Sequence, residues 1–244
     1  MKTVVIYKWA RDPEDAAVRA DGSVDWRGAK MTAGEDDPAA VAAARAVNEA
    51  AGGVLVGLTI GDGDATWALA RGVEQAVSVP DAPQLADNAA TARVLAAAVR
   101  SIGGVDAVLM GDAEAYPGVV AALAADLGWA VALGVTTVAF DGGRLVAGRR
   151  VGDDEQTMSL GLPAVLGVAA TSAEKQVPGM KEVLAARKRP VTTLSLEALG
   201  IVPADRLESR AGRVPESGSA RIFEGDPASA SGQLVAALRA DGVL

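Results

Sequence analysis

Four short runs of apolar, β-branched residues recur along the first 130 positions, and each is bounded by turn residues and followed by a helix-like stretch. The runs are TVVIYK (Thr3–Lys8), VLVGLTIG (Val54–Gly61), QAVSVP (Gln75–Pro80) and DAVLMG (Asp106–Gly111). Continuous apolar runs of this length read as strands buried on both faces. Between and after them, Asp37–Ala51, Ala65–Val73, Asn88–Ile102 and Pro117–Leu127 carry helical spacing, the last with proline at its first position. Strand-helix alternation leaves a parallel sheet with right-handed crossovers as the expected architecture. An excursion after the first strand, Arg19–Met31, holds an Asp21-Gly22 turn and predicts a small hairpin. Only 3% of residues are aromatic against 50% hydrophobic, so the core must be built from Ala, Val and Leu in closely approaching layers.

Beyond residue 130 the period changes. Val135–Ala170 alternates strand-like runs around an Asp141-Gly142-Gly143 turn, which predicts antiparallel strands added at the sheet edge. A short basic helix is expected over Met180–Arg189, ending in Arg187-Lys188-Arg189, a run that suits either an acidic partner or the helix dipole. From Ser195 to Phe223 the chain is rich in Gly, Pro, Ser and charge without periodicity, and a last helix is expected after Asp226-Pro227. The expected organisation is an α/β domain over residues 1–194 and an extended C-terminal arm with its helix, 195–244, lying on a partner subunit.

With no histidine and no cysteine, the commonest general base, thiol nucleophiles, thiolate metal sites and disulfides are all excluded. A net charge of −8 argues against nucleic acid as a partner. No apolar run approaches the roughly 18 residues of a membrane span, and the N-terminal run reads as a first strand. A cytoplasmic protein is expected. Asp12, Glu14 and Asp15 read as a solvated acidic loop, and Trp9, Trp26, Trp67 and Trp129 as core or interface anchors.

In their order, these segments resemble the β subunit of the electron-transfer flavoprotein. The first strand ends in Lys8 and an acidic, proline-containing loop follows it; GAKMTAGEDDPAAVAAARAVNEA resembles the family's K-M-S-M-N-P-F-D-E-I-A-V-E-E-A segment; ALARGVEQAVSV resembles A-L-A-M-G-A-D-R-A-I. RRVGDDEQTMSLGLPAVLGVAA is similar to R-E-V-D-G-G-L-E-T-V-E-L-K-L-P-A-V-V, and VLAARKRPVTTLSLEALG to I-M-K-A-K-K-K-P-I with its D-L-G turn. The resemblance implies a mostly parallel Rossmann-like sheet, of the adenine-nucleotide-hydrolase-like kind, in an electron carrier without its own catalytic constellation. Its partner would be an α subunit holding most of one FAD, and electrons would pass from flavin dehydrogenases to a quinone reductase or other acceptor. A nucleotide site is implied at Ile6, Asp36, Asp37, Ile60, Gly61, Gly111, Tyr116 and Gly118. Dehydrogenase docking is implied around Val177, Pro178, Met180, Val183 and Leu184, with Met180 on the leucine that relatives insert into their dehydrogenase. A free-standing nucleotide-binding module of universal-stress-protein type shares the sheet but would lack the C-terminal arm.

The junction LMGDAEAYPGVVAALAADLGW, Leu109–Trp129, departs from the family's G-K-Q-A-I-D-D-D-x-x-Q-T-G-Q. It is shorter, Tyr116-Pro117 replaces the Gln-Thr pair, and proline removes a backbone donor. Asp112 and Glu114 stand where they would oppose a phosphate. Gly34-Glu35-Asp36-Asp37-Pro38 replaces N-P-F-D-E, so the asparagine and the aromatic are gone. Tyr116 could stack on an adenine or merely cover the helix end. Lost donors and gained carboxylates argue against AMP here.

Overall fold

The computed structural model describes residues 1–83, 87–112, 118–170, 177–204, 206–207 and 220–244. Thirteen strands and six α-helices follow one another in these residues. They are β1 Lys2–Ile6, β2 Ala10–Arg11, β3 Ala17–Val18, β4 Val24–Asp25, β5 Met31–Thr32, α1 Asp37–Ala51, β6 Val54–Ile60, α2 Ala65–Leu69, β7 Gln75–Val79 and α3 Asn88–Ile102. Then come β8 Ala107–Gly111, α4 Val119–Leu127, β9 Ala130–Asp141, β10 Arg144–Val151, β11 Asp154–Leu160, β12 Ala164–Val168, α5 Met180–Ala186, β13 Val191–Thr193 and α6 Pro227–Ala240.

Nine strands form one sheet in the order β11-β10-β9-β12-β8-β1-β6-β7-β13. From β12 through β8, β1, β6 and β7 to β13 every pairing is parallel, and β9–β10 and β10–β11 are antiparallel. β12 corrects the expectation for residues 135–170. It lies inside the sheet, parallel to both β8 and β9, and its five residues, AVLGV, are all buried, the continuous apolar pattern of a strand covered on both faces. β11, reading DEQTMSL, has the charged, exposed pattern that protects an edge.

Alternation along β1 builds both cores. Val4 and Ile6 join Val56, Leu58, Val77 and Val79 beneath α3 and α4, with Leu95, Val99, Val120 and Leu123 packed on them. Val5 and Tyr7 face the other side, where Leu55, Leu109 and Leu166 meet Ala40, Val41, Ala44 and Val47 of α1. Each fully buried Val or Leu contributes about 1.5–3 kcal/mol, and the alanine-rich helix faces let the layers approach closely. α3 starts where Asp87 accepts the N–H groups of Ala89 and Ala90, at 2.8 and 3.4 Å.

Beyond α5 the structure differs from the expected arm. β13 extends the sheet beside β7, and Leu194, Leu196, Leu199 and Ile201 pack on this chain's own core. Ser195–Ile201 therefore belongs with the sheet. α2 is shorter than its apolar spacing suggested and ends at Leu69, and α5 ends at Ala186. The described residues fall into two compact units, 1–17 with 25–207, and 18–24 with 220–244. In the second, Asp226 caps α6 by accepting from Ala228 and Ser229 N–H at 3.0 and 3.1 Å. The expected hairpin forms as β3 against β4, and β2 pairs with β5.

Candidate functional site

From β1 the chain passes to β6 and β7 on one side, then returns to β8 on the other. The connections therefore run in opposite directions from the β1–β8 pair, and the carboxyl ends of such a pair open into a crevice where α/β sheets bind ligands. A cavity of about 410 Å³ lies there, within the ~300–1,000 Å³ of small-molecule and cofactor sites. Ile6, Tyr7 and Lys8 line it from the end of β1, Ile60 and Gly61 from β6, and Met110 and Gly111 from β8. Thr91 and Leu95 of α3 and Val119 of α4 close the helix side, and Trp9, Arg11, Met31, Asp37 and Asp62 also line it.

Asp37, at the start of α1, binds the floor together. Its carboxylate accepts Lys8 N–H at 2.8 Å and Gly34 N–H at 2.7 Å, and Gly111 N–H also donates to it. Asp37 N–H in turn donates to Gly34 O at 3.1 Å. A Cβ on Gly111 would stand 2.8 Å from Asp37 Oδ1, and one on Gly34 2.9 Å from Oδ2, so glycine is required at both for the backbone to come this close. Burial drives the Asp37 pKa up and Asp36 adds to the rise. The three N–H donors oppose it, and the outcome is about 6. Burial also pulls the Lys8 ammonium below its ordinary value, with Asp37 acting the other way.

Gly118, whose φ of 99° is left-handed, is the N-cap of α4, and among the described residues no side chain caps its first amides. Those amides, Lys8 and Arg11 are groups suited to an anion, and Ile6, Ile60, Leu95 and Met110 form an apolar lining suited to a heteroaromatic ring. Asp112, expected to oppose a phosphate, is not in the cavity lining. Its Oδ2 accepts Gly134 N–H at 2.6 Å, on β9, and a Cβ on Gly167 would touch its carboxyl group, so it is turned along the sheet. Glu114, Tyr116 and Pro117 lie outside the described residues.

Of the residues expected at a nucleotide, Ile6, Asp37, Ile60, Gly61 and Gly111 meet in this cavity and Gly118 opens the adjoining helix. Asp36 is not in its lining: its Oδ1 accepts Ala170 N–H at 2.7 Å, fastening the exit of β12. Sequence reasoning missed Tyr7, Trp9, Thr91, Leu95 and Met110. Tyr7 sits at the end of a recognised strand, where alternation alone sends it to the α1 side, and there its ring meets Trp67 at 5.2 Å with Arg71 4.3 Å over the indole. Burial, then Asp64 and Asp37, raise the Tyr7 pKa. Trp129 packs on the α3–α4 core.

At the expected docking segment, Val177, Met180 and Leu184 are exposed by 83%, 75% and 50%. Pro178 is half-buried. Val183 faces inward with Ala186 onto Leu69, Ala70 and Ala76. Among the described residues there is no group of three metal-ligating side chains and no helix long and apolar enough to cross a membrane.

A family model described as the electron transfer flavoprotein domain matches residues 25–199. The matched span takes in Gly34, Asp37, Gly61, Gly111 and Gly118, and it runs through β13 to the leucines that pack behind it. With α1 to α5, β6 to β13 and the Asp37 end of the crevice floor inside that span, the chain belongs to the electron transfer flavoprotein domain family.

Proposed function

We propose that this chain is the β subunit of a heterodimeric electron-transfer flavoprotein, a cytoplasmic carrier that takes electrons from flavin dehydrogenases and delivers them to a quinone reductase or another acceptor. The family match over residues 25–199 carries this reading. An α subunit holds most of the FAD, which supplies the electron-accepting and electron-donating chemistry when bound. This chain contributes a scaffold and a docking segment and no catalytic constellation of its own.

The cavity at the β1–β8 crevice takes an adenine mononucleotide in this proposal. The departures at the Tyr116-Pro117 junction argue against AMP; in support of a nucleotide, the Asp112 carboxylate is engaged by Gly134 N–H and does not line the cavity. Lys8 and the first amides of α4 would hold the phosphate, and the apolar lining around Ile60, Leu95 and Met110 the base. The exposed side chains of Val177, Met180 and Leu184 support the docking assignment. Val183 contributes by holding α5 in place.

Co-expression with a candidate α subunit tests the whole reading. A yellow heterodimer with about one FAD and up to one AMP in its denatured extract is the expected product. A stable, colourless monomer that carries ATP would overturn the reading in favour of a free-standing nucleotide-binding module.

A further inference from the structure

Asp37 is 4% exposed, its charge lies in the wall of a cavity proposed above to hold a phosphate ester, and it already occupies the three backbone donors at the strand ends. Those donors, Lys8, Gly34 and Gly111 N–H, converge as they would on an anionic ligand. Among the described residues, the remaining charges around Asp37 are few. Asp36 adjoins it on α1, Lys8 and Tyr7 face it from β1, and Arg11 and Asp62 line the same cavity; β8 presents Met110 and Gly111, α3 Thr91 and α4 Val119, none of them titratable. Asp37 lines the same cavity as Lys8, Gly111 and Val119 of α4, so an anionic group held at those strand ends meets its charge.

We propose that Asp37 makes ligand binding in this cavity proton-linked: ionised, it keeps an anionic group from the strand ends, and on taking up a proton it admits one. This rests on the nucleotide reading of the cavity. Asp37 is thus a positioning and specificity residue, whose hydrogen-bonded frame holds the crevice open while its charge sets which ligands enter. Its pKa near 6 places the transition close to neutral pH. One consequence is discrimination by charge: an uncharged nucleoside binds with little pH dependence, and a nucleotide binds more tightly as the pH falls.

The test is calorimetric titration of the full chain, with its partner subunit where the two co-purify, from pH 5 to 8. The probes are adenosine, AMP and adenosine 5′-sulfate, the last because its single charge does not change over that range. Adenosine 5′-sulfate is expected to bind about tenfold more tightly at pH 5 than at pH 8, adenosine to vary by less than about twofold, and Asp37→Asn to abolish the sulfate ester's slope. A sulfate ester that binds without that slope, or with the same slope in Asp37→Asn, overturns the proposal and leaves the nucleotide reading standing. Failure of all three ligands to bind overturns the nucleotide reading and the proposal with it. Should Asp37→Asn fail to fold, carboxyl carbon NMR of the wild-type chain decides. Saturation with adenosine 5′-sulfate should raise the Asp37 midpoint by about one pH unit, a tenfold change in proton affinity; an unmoved midpoint overturns the proposal.

Discussion

At the level of single residues, the two hydrogen-bonding halves of the crevice floor make separate predictions. Because the Asp37 carboxyl titrates near 6 when folded and near 3.8 otherwise, the native state binds the extra proton between those values. Stability from this group is fully present below the lower value and is lost as the pH rises through the upper one, by on the order of 3 kcal/mol. Asp37→Asn keeps the side-chain volume and removes the titration. Urea unfolding at pH 4 and pH 7 should therefore show the wild type losing about 2 kcal/mol more than the variant across that interval; parallel losses would mean that Asp37 titrates normally. Gly111→Ala acts through space instead. A Cβ there meets Asp37 Oδ1 at 2.8 Å and Asp36 Cβ at 3.0 Å, neither at the free end of a flexible side chain, so about 1–3 kcal/mol of stability should be lost in the same assay.

At the level of elements, α5 divides cleanly between outward and inward faces. Met180, 75% exposed, should tolerate replacement by alanine within about 0.5 kcal/mol, while Val183→Ala, facing Leu69, Ala70 and Ala76, should cost about 1–2 kcal/mol. In electron-transfer assays with the cognate dehydrogenase, Met180→Ala should slow transfer by roughly tenfold at subsaturating carrier, consistent with the loss of one buried methionine. Flavin content should not change. An unaltered transfer rate would remove Met180 from the docking surface. Where elements were legible from sequence, spacing was enough: α1 and α3 run over the residues their helical periodicity suggested. β12 carried its own signal as well, five apolar residues without alternation, but the antiparallel strands before it drew the same assignment onto it. β13, only three residues long and fully exposed, has no signal apart from the neighbouring strand it pairs with.

For the molecule as a whole, the exposed apolar side chains are the telling feature. Val202 at 91%, Leu207 at 60% and Ile222 at 79% belong to the stretch expected to meet a partner, as do Leu234 and Val235 of α6. A partner that covers such residues binds the native state alone and raises its apparent stability. The isolated chain is expected to self-associate in size-exclusion chromatography, and co-expression with the α subunit should convert it to a heterodimer with a higher unfolding temperature. A monodisperse monomer whose unfolding temperature the α subunit leaves unchanged would contradict obligate partnering.

Sequence alone determined the layered α/β class, the order of strands and helices through residue 130, and the absence of histidine and cysteine chemistry, because periodicity and composition are properties of neighbours along the chain. The family resemblance, carried by short motifs in the same order, brought forward Ile6, Asp37, Ile60, Gly61 and Gly111, which line one cavity. Only the tertiary structure decided where the carboxylates point. Asp36, Asp37 and Asp112 are short acidic side chains in similar loops, yet one fastens Ala170, one gathers three backbone amides into the cavity floor, and one turns to Gly134. Their partners lie up to 134 positions away, and which donor a carboxylate reaches is settled by the register of strands that the chain brings together only on folding.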